Sequence, residues 1–147
     1  MREIKFRMWN KKEKKMYDIG VLDFDDKKAY MKGYLNYTVS NYMFENIELM
    51  QYTGLHDKNG KEIYEGDILP FTMYDLKTEY YYIVFRNGEF EAINKQDTNF
   101  IWRSAWKEST VIGNIYENPD LLKGADNIEW SRWDFEQLKL QICKRRW

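Results

Sequence analysis

Between Ile47 and Glu117 the chain runs in short alternating segments, each cut off by a glycine or an Asn-Gly pair, and that pattern admits few folds. Ile47, Leu49 and Gln51 point one way along an extended chain and Glu48, Met50 and Tyr52 the other, the period of two expected of a strand. Asp57-Lys58-Asn59-Gly60-Lys61 then carries an Asn-Gly pair, whose residues tolerate the positive φ that a type I′ hairpin turn requires. Glu65-Gly66-Asp67 predicts a second tight turn, and Ile68 to Tyr74 a strand. Pro70 cannot donate to a ladder, so it suits an edge or bulge in that strand. Glu79 to Phe85, Asn87-Gly88 and Glu89 to Ile93 read as strand, turn and strand, the plainest hairpin in the chain. Phe100 to Trp106 is less regular. Val111, Ile112, Ile115 and Tyr116 around Gly113 read as a closing strand, stopped by Asn118-Pro119-Asp120. Several short strands with tight turns predict a small barrel or roll, which hides its edges by closing on itself.

The flanks are written differently. Ile4, Phe6 and Met8 alternate with Lys5, Arg7 and Trp9, which predicts a first strand with one face buried. The polar run from Asn10 to Lys15 reads as a solvated hairpin loop before a second strand near Met16 to Leu22. Tyr30 to Tyr37 forms a further short strand on this reading, interrupted by Gly33. Beyond Lys123 the pattern changes period. Ser131 can cap a helix with Asp134 and Glu136 in its first turn, and Phe135, Leu138 and Ile142 then share one face. The alternation of Leu138, Leu140 and Ile142 leaves a strand open, but it breaks at Phe135, so helix is favoured. The expected organisation is a mostly β chain: an N-terminal β region over 1–46, a barrel over 47–122 and a helical C-terminal extension over 123–147.

At 147 residues a real core needs no cross-links. Aromatics make up 18% of the chain, which suits strands and also a partner-binding face. With 23 basic and 24 acidic residues the net charge is −1, so no global field draws in a polyanion. Cys143 is the sole cysteine, which rules out an internal disulfide and fits a reducing compartment. No leader pattern follows Met1, and no apolar run has the length of a membrane span. A cytoplasmic chain with no membrane partner is expected.

Catalytic chemistry finds little to stand on. Zinc needs about four ligands, and one His with one distant Cys do not supply them. Asp57-Lys58-Asn59-Gly60 lacks the ligand spacing of a calcium loop. Cys143 and His56 as nucleophile and base would be opposed by a helix C-terminus at Cys143. No serine elbow or phosphate loop is present. Carboxylates are numerous and leave an enzyme using a magnesium or glycosidase pair as a disfavoured alternative, since nothing marks out one pair over another. No enzyme, metal or cofactor is expected. Single-stranded nucleic acid is the alternative ligand, through stacking Tyr and Trp and the Lys144-Arg145-Arg146 cluster, but the acidic residues among the strands disfavour it.

Three segments resemble the YopX family: the start from Arg2 to Trp9, the run from Leu49 to Ile68, and Val111 to Pro119. They fall in the family's order. The resemblance implies a protein encoded by phages and prophages, cytoplasmic in the bacterial host, with an SH3-like barrel behind an N-terminal β region. It implies no activity and no catalytic set. The matched residues Tyr52, Gly54, Asp57, Gly60, Glu62, Tyr64, Glu65, Gly66, Asp67, Gly113 and Tyr116 read physically as structural, with Glu62 and Glu65 left open to pair with Lys or Arg on a neighbouring strand or to sit at a partner site. The expected function is a phage accessory protein that binds a phage or host protein or a second copy of itself. Trp130, Trp133, Phe135 and Trp147 in the tail are the candidate surface for that contact.

Overall fold

The computed structural model describes residues 3–33, 41–72, 76–94 and 100–122. The chain forms two compact units, divided between Gly54 and Leu55.

The first unit is a meander of antiparallel strands: β1 (Phe6–Asn10), β2 (Lys15–Asp23), β3 (Lys28–Met31) and β4 (Asn41–Met43), then a 3₁₀ turn (Phe44–Asn46). β5 (Ile47–His56) returns alongside β1. The first loop forms because Asn10 accepts the Lys12 and Glu13 amides on Oδ1, both at 2.9 Å, while Lys14 N donates to the Asn10 carbonyl at 2.9 Å. An Asn side chain here mimics the backbone turn it starts. The second loop repeats the device, with Asp26 N donating to Asp23 Oδ1 at 2.9 Å. The core of this unit is Met8, Ala29 and Ile47, with Tyr17, Ile19, Leu22, Met31, Tyr42, Phe44 and Leu49 half-buried around them. Tyr17 and Tyr42 stack at 5.7 Å. The expectation of a first strand with one buried face is corrected: Arg7, Met8, Trp9 and Asn10 are all buried. β1 is central, with β2 on one side and β5 on the other.

β5 runs on into the second unit, where Leu55 and His56 lead through the turn at 57–61 to β6 (Glu62–Tyr64). β7 (Asp67–Thr72), β8 (Thr78–Arg86), β9 (Glu89–Ile93), β10 (Phe100–Ile101), a one-turn helix α1 (Arg103–Trp106) and β11 (Gly113–Asn114) follow, and a 3₁₀ turn closes the sequence at Pro119–Leu122. Asn87 and Gly88 both have positive φ, so the β8–β9 hairpin has the I′ turn its sequence predicts, with Phe85 opposite Phe90. At 57–61 the outcome differs. Only Gly60 has positive φ, and Asp57 N donates to the Lys61 carbonyl at 2.8 Å, which makes a three-residue loop with its left-handed residue last. The side chain of Asp57, described below, selects it.

The barrel is the main expectation to fall. Among the described residues the six strands β4-β3-β2-β1-β5-β6 and the five strands β10-β9-β8-β7-β11 are each an open sheet, with first and last strand unpaired to one another. The SH3-like barrel or roll expected over 47–122 is therefore not formed. The burial pattern gives the reason. A barrel strand buries alternate residues, whereas Tyr81, Tyr82, Ile83 and Val84 are buried in succession. One face of the sheet carries Leu69, Tyr81, Ile83, Phe90 and Ala92 and is covered by Ile63, Trp106 and Val111. The other carries Ile68, Tyr82, Val84 and Ile93 and is covered by Ile115 and Leu122. Each face is covered by other elements of the chain, so neither depends on the sheet curling round to meet it. Its edges are blunted by strands only two residues long. The expected closing strand is β11 alone, because Ile115 to Glu117 turn away. The expected C-terminal helix and residues 34–37 of the expected Tyr30-to-Tyr37 strand lie outside the described residues. No helix among the described residues is long and apolar enough to cross a membrane.

Candidate functional site

Asp57 sits at the end of β5 and is 5% exposed. Its Oδ1 accepts the amides of Asn59 at 2.8 Å and Lys61 at 2.9 Å, which ties the loop to itself. Its Oδ2 accepts the Val111 amide at 2.9 Å, fifty-four residues away. Two more bonds run the same way: Lys58 N donates to the Ser109 carbonyl at 3.0 Å, and Asn59 Nδ2 to Thr110 Oγ1 at 3.3 Å. Burial on its own would push this carboxyl up, and it is the largest single influence. The amides of Val111, Lys61 and Asn59, with the Lys61 charge, outweigh it together and hold the group below the ordinary carboxylate range. A carboxylate so engaged, with three backbone amides on its two oxygens, is an acceptor fixed in place.

Several other signature residues are similarly occupied. Asp67, 1% exposed, accepts the Tyr64 amide on Oδ2 at 2.8 Å and so shapes the turn through Glu65 and Gly66. Gly66 has positive φ, and its amide donates to the Ile83 carbonyl at 2.8 Å. Tyr64 donates its hydroxyl to Glu62 Oε2 at 2.7 Å. Glu65 is buried. Tyr52 is buried in β5, with the Lys5 ammonium 5.4 Å from its ring centre, and Gly54 follows with positive φ. Gly113 lies where a Cβ would collide with the Asn118 side chain. Asn114 beside it accepts the amides of Tyr116 at 3.0 Å and Glu117 at 2.9 Å. Tyr116 packs half-buried on the second face of the sheet. Among the described residues no three His, Cys, Asp or Glu side chains gather to hold a metal ion. Glu62, Glu65 and Asp67 do not form such a group. Cys143, which the sequence disfavours as a nucleophile beside His56, and the tail residues Trp130, Trp133, Phe135 and Trp147 lie outside the described residues.

Beside the 57–61 loop lies a groove in the second unit of about 500 Å³, a volume usual for ligand pockets. Pro70 and Phe71 of β7 give it an apolar wall, and Ala105 of α1 another. Thr72, Thr78, Ser109 and Thr110 add hydroxyls, and Lys58 and Glu108 bring one charge of each sign. Thr72 and Thr78 share a hydrogen bond at 3.2 Å between their hydroxyls, and Ser109 Oγ donates to the Pro70 carbonyl at 2.8 Å. Sequence reasoning passed over Lys58, Ser109 and Glu108. Nothing local marks them, because the groove exists only once the 57–61 loop and the 108–110 segment meet across fifty residues of chain.

Comparison with known proteins agrees with the signature. No curated protein matches the chain. The crystal structure of protein EF1440 from Enterococcus faecalis is similar to it, with 30% sequence identity over 83% of this chain and 99% of that one, and a TM-score of 0.63. The family model of the YopX protein matches residues 5–123, which is most of the sequence. The fixed turns at 57–61, 65–67 and 113–118 all fall inside that match, and on these grounds the chain belongs to the YopX family.

Proposed function

We propose that this chain is a phage or prophage accessory protein that acts without catalysis, by binding a protein partner, and that the groove beside β7 receives the partner's side chains. The observation that supports this reading is the lining of the groove. It pairs an apolar wall with a few convergent polar groups, the usual make-up of a recognition site. Lys58 and Glu108 stand exposed on its rim, ready to select a partner by charge. The most engaged carboxylates of the signature, Asp57 and Asp67, accept backbone amides and maintain the shape of this part of the chain.

The charge-reversed variant K58E/E108K keeps the net charge and touches exposed side chains only. Wild-type and variant proteins are used to capture partners from the bacterial host, with and without the phage induced. Loss of a specific captured protein by the variant, at unchanged melting temperature, supports the reading. Identical captures by both proteins refute it.

A further inference from the structure

β7 is a central strand for only part of its length. Among the described residues β11 pairs with Asp67 and Ile68 alone, so from Leu69 to Thr72 one side of β7 has no strand beside it. Successive residues of an antiparallel strand direct their N–H and C=O groups to opposite sides. The Ile68 carbonyl accepts the Ile112 amide at 3.1 Å, on the β11 side. By alternation Pro70 and Thr72 face that same open side, and Leu69 and Phe71 face β8. Such an edge is a template for strand addition.

Two features close it. Pro70 has no N–H to offer an incoming strand. Its carbonyl is already taken by the Ser109 hydroxyl at 2.8 Å, from a side chain 6% exposed. Ser109 stands on a segment that the signature loop holds down at three successive residues, through the Ser109 carbonyl, the Thr110 hydroxyl and the Val111 amide. We infer that residues 109–112 are a strap that closes the free edge of β7 against strand addition by a second copy of this chain, with Asp57 as its buckle. The Asp57 loop thus guards an edge fifty residues further on, beyond shaping its own hairpin. Pro70, Thr72, Ser109 and Thr110 also line the groove, but the inference does not rest on what the groove receives.

The test is the mass of the full chain in solution, by light scattering across a concentration series. P70V/S109A restores the donor and frees the carbonyl. It should raise the weight-average mass at least twofold over wild type, with slowed amide exchange at Thr72. Adding T72K, a charge on the opened edge, should return the mass to the wild-type value. A folded P70V/S109A with wild-type mass overturns the inference, and so does an associated form that T72K leaves intact. Should the double variant lose its tertiary circular dichroism, P70V alone carries the same expectation and the same refutation.

Discussion

The two units solve the same problem, a meander of short strands, to different depths. In the second unit β7, β8 and β9 each carry consecutive buried residues, and their sheet is covered on both faces. In the first unit Ala29 is the one fully buried residue across β2, β3 and β4. The turns differ in the same direction. The hairpin loops of the first unit end on Lys14 and Lys27, both at positive φ, where the 57–61 loop of the second places Gly60. Burial on two faces leaves no register in which the strands can slip, because a shift by one residue would change the cover on both sides. Definition of the fold is therefore concentrated beyond Leu55 and, in the first unit, on β1, whose four consecutive buried residues the outer strands do not match.

The largest expected effect tests that concentration. Trp106 is wholly buried, and truncating it to alanine should cost about 3–5 kcal/mol. Leu22→Ala, at a half-buried position of the first unit, should cost about 1 kcal/mol, since roughly half of the area is removed from water. Urea titration of both variants checks the ratio, and equal losses would break the contrast.

Asp57→Asn comes next, at about 2–3 kcal/mol, because an amide nitrogen must then face amide donors where a charged acceptor stood. This change also alters the pH response. The folded group titrates below its unfolded value, so its contribution is complete at neutral pH and is lost as pH falls through the folded value. Melting temperatures followed from pH 7 into the acid range should fall less steeply in the variant than in the wild type.

The smallest effect sharpens the comparison from the other side. A non-glycine residue in the left-handed region costs about 1–2 kcal/mol, and glycine loses about 0.5–1 kcal/mol of that advantage to its freer unfolded chain. Lys14→Gly and Lys27→Gly should therefore each stabilise the first unit, by up to about 1 kcal/mol. A fall in melting temperature for both would mean that the lysines are placed there for their side chains.

Strand placement was legible because it is local. The hairpin of β8 and β9 follows from a Tyr-rich run, Asn87-Gly88 and a second alternating run, and the edge role of Pro70 follows from its missing donor. What could not be read was which elements cover the sheet. Trp106 rides on a single helical turn of four residues, too short to leave a period in the sequence, and Leu122 on a 3₁₀ turn. Without those covers in view, short alternating strands read as a closed barrel. Gly60 and Gly66 lie in turns at positive φ, where glycine freedom is expected, but the acceptor role of Asp57 toward Val111 is a contact across 54 positions that no local pattern encodes.

That both covers arrive late has a consequence for how the chain is made. β7, β8 and β9 are complete by Ile93, while Trp106 and Val111 on one side and Ile115 and Leu122 on the other come afterwards. During synthesis the three strands leave the ribosome with most of both surfaces bare to water, Ile63 being the one buried covering residue that precedes them, a state prone to sticking. Closure waits on about thirty more residues, a few seconds of translation at ordinary bacterial speed. A stall or truncation inside that interval would release a sticky nascent sheet, so the gene's stretch from residue 94 to 122 is where slow codons would do the most harm.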